Sequence, residues 1–119
     1  MSGRRQWHNG TGTLTVSGHE SGVPVEIAAT YGPRRRGLLG RDGIDGAILL
    51  TPCNSVHTFR MRFTIDVAYL DKELRVVGVH TMKRGRLGLP RLRARHVLEA
   101  EAGAMAGWGL VPGAVVTIT

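Results

Sequence analysis

The residues with the most chemical reach fall in one stretch, PCNSVHTFRMRFTIDVAYLD from Pro52 to Asp71, which gathers Cys53, His57, Thr58, Arg60, Met61, Arg62 and Asp66. Read as an extended segment, residues alternate between two faces. His57, Phe59, Met61, Phe63 and Ile65 then share one face, with Thr58, Arg60, Arg62 and Thr64 on the other. Asp66 breaks that frame, because it stands between Ile65 and the apolar Val67, Ala68 and Tyr69. A carboxylate among residues of buried type must be hydrogen-bonded or paired, since an isolated buried charge is too costly. Three roles satisfy this requirement. Asp66 accepts backbone N–H bonds or pairs with an arginine such as Arg41; or it lines a pocket; or it serves as a general base with His57, in the manner of a hydrolase. The catalytic candidates are therefore Asp66 and His57.

Glu99 poses the same question, since it follows Val97 and Leu98 and precedes Ala100. It is an edge residue, an arginine partner, or, if near Asp66, half of a carboxylate pair able to hold a cation or share a proton. Cys53 and His57 have a C-x3-H spacing. Four residues of extended chain separate them by about 13 Å, so only a turn at Asn54-Ser55 makes them a nucleophile and base. A structural zinc site needs four N/S ligands, and one Cys with scattered histidines at 8, 19, 80 and 96 does not supply them. No metal and no cofactor is expected. Phosphate-cradling glycine loops, dinucleotide fingerprints and the Gly-x-Ser-x-Gly elbow are missing, which leaves nucleotide hydrolysis and hydride transfer unsupported.

A second chemistry is electrostatic. The chain of 119 residues carries 16 Lys+Arg against 9 Asp+Glu, a net charge of +7, and every basic residue except Lys72 and Lys83 is arginine. Residues 82–96 hold Lys83, Arg84, Arg86, Arg91, Arg93 and Arg95 with no acidic residue. Such a loop suits a polyanion, nucleic acid included. The stacking aromatics that single strands also require are missing from it, since no Phe, Trp or Tyr lies between Tyr69 and Trp108.

The elements that must position these groups are short. The length fits one domain over residues 1–119, and a chain of this size buries about two-thirds of its unfolded surface without disulfides or structural metal. No apolar run approaches the ~20 residues of a spanning helix, the longest being Ala47 to Leu50. Polar residues 1–11 predict a flexible tail or edge segment, anchored by Trp7, with no apolar core of a secretory signal. One cysteine, without an internal partner, agrees with a reducing, cytoplasmic setting. Alternation over 13–16 and 23–29, around the turn-prone 17–22, predicts a hairpin. Thr30 or Tyr31 near a cap, with Pro33 in the first turn, predicts a short helix ending by Gly40 or Gly43. Strands are predicted at 47–51, 56–63, 65–70, 74–80, 97–101 and 115–118, with a helical turn within 102–108. The fold class is mainly β (α+β): a small single-domain β-barrel or sandwich of about seven or eight strands with one or two short helices.

Taken together, Arg34-x-x-Gly37-Leu38-Leu39-x-Arg41, His57-Thr58-Phe59-x-Met61-Arg62-Phe63-x-Ile65-Asp66-Val67, Leu70-Asp71 and Val97-Leu98-Glu99 followed by Ala102-Gly103 resemble the DUF192 family, a domain of unknown function, over roughly residues 24–116. The resemblance implies a compact, mostly β domain with a short helix carrying the Arg-x-x-Gly-Leu segment, and no known reaction. Thr64 stands where that pattern usually has Pro, and Ala114 where it often has Asp. Other branches resemble W-M-K-N-T-x-I-P-L-D in the central segment, which puts Trp at His57 while leaving Asp66 in place. Gly37, Leu38, Asp66 and Glu99 are thus the shared frame. The functional expectation is a small-ligand-binding or accessory module with a pocket formed by His57, Met61, Asp66 and Glu99, its partner a small ligand or a protein, and no enzyme activity assigned. The alternatives are polyanion or nucleic-acid binding by the basic loop, and hydrolase-like chemistry at Asp66 with His57.

Overall fold

The computed structural model describes residues 6–119, apart from the side chains at 20 and 21. Strands β1 (Gly10–Val16) and β2 (His19–Ala28), helix α1 (Tyr31–Arg36), strands β3 (Ala47–Leu50), β4 (Ile65–Leu70), β5 (Val76–Met82) and β6 (His96–Glu101), helix α2 (Ala104–Gly107) and strand β7 (Val116–Ile118) follow in order. The seven strands form one sheet ordered β5-β4-β6-β3-β2-β1-β7. All pairs are antiparallel except β2 with β3, whose connection carries α1. The sheet curls into a half-barrel. Its two edge strands meet at one end, where Arg75 bridges Val115, the Gly113 N–H donates to the Val76 carbonyl (2.8 Å) and the Val116 N–H to the Leu74 carbonyl (2.9 Å).

Two cores result, one per face. Leu14, Val25, Leu49, Ala68, Leu70, Leu98 and Val116 pack inside the curl, closed by Met105 and Leu110. Ile48, Leu50, Ile65, Val67, Tyr69 and Val97 face outward and pack under Leu38, Val56, Met61 and Ala94. Strands β3, β4 and β6 are therefore buried on both sides, which explains their nearly unbroken apolar runs. Each fully buried Val or Leu contributes roughly 1.5–3 kcal/mol. That is the order of the cost of one buried polar group, so Val97 and Leu98 let β6 hold a carboxyl without breaking.

The mainly β architecture and the helices at 31–36 and 104–107 agree with the sequence. The hairpin turn is tighter than predicted: only Ser17 and Gly18 (φ 82°) lie outside the strands, and Val16 pairs with His19. Segments 65–70 and 97–101 are strands as read. The predicted 56–63 strand is not one. Its chain wraps around buried Thr58, whose N–H donates to the Arg86 carbonyl (2.7 Å) and whose hydroxyl donates to the Lys83 carbonyl (2.6 Å) and accepts from the Arg86 N–H (2.8 Å). A single bridge, His57 to Leu87, is all the β pairing it has. The apolar alternation that suggested a strand comes instead from Val56 and Met61 plugging the outer core, while His57 is exposed rather than sharing a buried face. Of the predicted tail 1–11, residues 1–5 lie outside the described residues. Asn9 pins the remainder: its Oδ1 accepts the N–H groups of Ala29 (2.7 Å) and Thr30 (3.2 Å), and its Nδ2 donates to the Thr30 hydroxyl (2.9 Å). Trp7 packs against the inner core.

Candidate functional site

Strand β4 and its neighbour β6 carry the two buried carboxylates, and their register decides what each does. Asp66 pairs with Ala100 and Val67 with Glu99. Asp66 therefore has the parity of Ala68 and Leu70 and points into the curl, whereas Glu99 has the parity of Val97 and points outward. The two sit on opposite faces and form no carboxylate pair.

Asp66 is 4% exposed and fully engaged. One oxygen accepts from the Thr81 hydroxyl (2.8 Å); the other accepts from the N–H groups of Gly103 (2.9 Å) and Met105 (3.2 Å). It ties β5 to the turn that leads from β6 into α2, where Gly103 takes a left-handed φ of 90°. The expectation that Asp66 accepts backbone N–H bonds holds, but its proposed partner Arg41 instead forms a bidentate pair with Glu26 (2.6 and 2.8 Å). His57 lies on the outer surface with its ring on Phe59 (centroids 5.2 Å, 23° between planes). Asp66 and His57 thus face different sides of the sheet, which removes the geometry of a general-base pair.

Glu99 is the opposite case. It is 5% exposed, and among the described residues its carboxylate has no hydrogen bond or ion pair. Burial pushes its pKa up to about 7. It forms part of the wall of a cavity of about 230 Å³ whose other walls include Arg34, Leu50, Cys53, His57 and Met61. Gly37, at the end of α1, makes room: its φ of 47° disfavours a side chain, and a Cβ there would lie 3.3 Å from the Glu99 Oε1. Arg34 is held at the cavity by its Nη1, which donates to the carbonyls of Thr51 (3.4 Å) and Ala29 (3.5 Å). The Arg-x-x-Gly-Leu segment was legible in sequence, but that it forms a wall against Glu99 was not.

Three of the four predicted pocket residues, His57, Met61 and Glu99, line this one cavity, and Asp66 does not. Cys53 and His57 both line this cavity, joined by the irregular chain between them. The Cys53 thiol donates to the Ser55 carbonyl (3.2 Å), and burial, reinforced by the Glu99 charge, raises its pKa above the ordinary value. A thiol so held is a poor nucleophile. No cluster of three His, Cys, Asp or Glu suited to a metal occurs among the described residues. Lys83, Arg84, Arg86, Arg91, Arg93 and Arg95 are all exposed and make no ion pair among those residues. Arg91 is committed to a ring, with its guanidinium 5.0 Å from the Tyr69 centroid and its Nη2 2.9 Å from His80 Nε2.

These features define a class: a small half-barrel domain with a carboxyl-lined cavity beneath its first helix. The chain belongs to the DUF192 family, uncharacterized ACR, whose model matches residues 12–118. It is 34% identical over 84 residues to a UPF0127 protein of Pyrococcus horikoshii, a match covering 66% of this chain and 73% of that one. A UPF0127 protein of Thermococcus gammatolerans is 36% identical over 85 residues, covering 66% of this chain but only 56% of the relative. Two crystal structures share the fold. One is a protein of unknown function from Novosphingobium aromaticivorans (TM-score 0.73, 20% identity, 90% of this chain and 83% of that chain). The other is a putative transcription regulator from Sinorhizobium meliloti (TM-score 0.72, 18% identity, 96% and 98%). No helix among the described residues is long and apolar enough to cross a membrane.

Proposed function

We propose that this protein is a small-ligand-binding module whose cavity ends on Glu99. The observation that carries the reading is the Glu99 carboxyl, which stands on a nearly buried residue, has no hydrogen bond or ion pair among the described residues, and keeps its oxygens open to the cavity it lines. A group so placed costs stability in the empty protein, and a ligand bearing an amine, amide or hydroxyl offsets that cost by donating to it. Apolar Leu38, Leu50, Val56 and Met61 supply contact area, and Arg34 and His57 supply polar contacts beside the same cavity. Cavities of this make-up, mostly apolar with a few convergent polar groups, are the usual form of small-molecule sites. The lone, half-buried Cys53 suits a reducing cytoplasm.

The test is a melting-temperature screen at pH 7 of small amines, amides and hydroxy compounds against the wild type and Glu99→Gln, since a ligand that prefers the native state raises Tm by mass action. Compounds that stabilise the wild type and lose that effect in Glu99→Gln support the reading. A Glu99→Gln chain that is much less stable than the wild type without any ligand would mean that the carboxyl holds the fold, and would overturn it.

A further inference from the structure

We propose that the surface running from α1 across Arg60 to the 83–86 turn binds single-stranded nucleic acid. Two depressions adjoin there and share Arg60. The first is lined by Tyr31, Arg35, Arg36, His57, Phe59 and Arg60 among others. The second is lined by Arg60, Thr64, Lys83, Arg84 and Arg86 among others. No carboxylate lines either one, and Arg35, Arg36, Arg60, Lys83, Arg84 and Arg86 have no ion pair among the described residues. The result is a band of like charge crossing two depressions, longer than a single small anion needs and suited to successive phosphates.

The rings decide which polyanion it fits. Tyr31 is 69% and Phe59 47% exposed, and His57 lies nearly parallel on Phe59, which makes a solvent-facing platform beside the arginines. Unstacked bases bind such platforms through their faces, whereas a duplex keeps those faces stacked inside. The basic loop alone lacks aromatics; folding brings them to it from α1 and from the 57–60 turn. Arg60, the residue common to both depressions, adopts φ 63°, an uncommon left-handed conformation for a residue with a side chain. Such strain concentrates at binding sites. The band shares Tyr31, Arg35, Arg36 and His57 with the cavity that holds Glu99, but Phe59, Arg60 and the 83–86 turn lie outside that cavity and Glu99 lines neither depression.

Fluorescence anisotropy with a labelled ten-nucleotide oligothymidylate, a duplex of equal length and heparin as competitor tests the assignment. The single strand should bind, and its affinity should fall about 10- to 100-fold between about 50 and 200 mM salt, as a few phosphate contacts require. Phe59→Ala should weaken binding about tenfold, as loss of one stacked base does, while Phe59→Trp keeps it. Arg60→Ala with Lys83→Ala should flatten the salt dependence. Glu99→Gln should bind the strand within about twofold of the wild type. Undetectable binding at low salt, a duplex bound as tightly as the single strand, unchanged affinity in Phe59→Ala, or loss of strand binding in Glu99→Gln would each overturn it.

Discussion

Asp66 and Glu99 lie on adjacent strands, one residue out of register, and have opposite fates. Asp66 faces the inner core with three donors aimed at it. Glu99 faces the outer side of the same sheet with none among the described residues. The two are about equally buried, so burial alone does not tell a carboxylate engaged by the fold from one without a partner among the described residues. What separates them is satisfaction. Asp66 organises the β6–α2 turn, and its removal strands the groups it serves. Glu99 does nothing visible for the fold, yet the chain tolerates its cost. Gly37, which leaves room for its carboxyl, belongs to the same arrangement.

The comparison breaks most visibly at Asp66. Asp66→Ala should cost about 2–4 kcal/mol in chemical denaturation, because the Gly103 and Met105 N–H groups lose their side-chain acceptor. A cost below about 1 kcal/mol would mean that the turn satisfies those groups some other way. The next effect is the pH dependence at Glu99. Its folded pKa, about 7, lies above the ordinary 4.5. Between these values the folded chain keeps a proton that the unfolded chain releases. Stability is thus fully present below about pH 4.5 and is lost as pH rises through 7, by up to about 3 kcal/mol. Denaturation curves from pH 4.5 to 8 should show this decline in the wild type and lack that component in Glu99→Gln; parallel curves for the two would remove Glu99 as its source. The smallest effect sharpens the cavity itself. The raised pKa of Cys53 should make it alkylate several-fold more slowly than free cysteine at pH 8, and a compound seated on Glu99 should slow it further. Labelling followed by mass spectrometry reads both.

Much of the fold was legible in the sequence. The runs Ala47–Leu50, Ile65–Leu70 and Val97–Ala100 are apolar on both parities except at Asp66 and Glu99, as strands covered on both faces are. The segment 56–63 misled because a plug into a core and a strand share the same alternation. Thr58 decided the matter through hydrogen bonds to Lys83 and Arg86, some 25 residues away, which local pattern does not encode. The candidate site divides in the same way. His57, Met61 and Glu99 stood out as candidates because each is a polar or soft group set among apolar neighbours, and the three line one cavity. Arg34 and Gly37 gained their roles only when folding brought the end of α1 beside Glu99 of β6.

Residue types and order by themselves determined that the chain is mainly β, that its charge is positive and unbalanced over 82–96, and that Asp66 and Glu99 must each be accommodated. These follow from hydrophobic periodicity and from the cost of burying charge, both of which are local. The tertiary structure decided which carboxylate is satisfied and which has no partner among the described residues, and which aromatic rings stand beside the basic turn. Each of those depends on strand register and long-range packing, where a shift of one residue moves a side chain to the other face of the sheet.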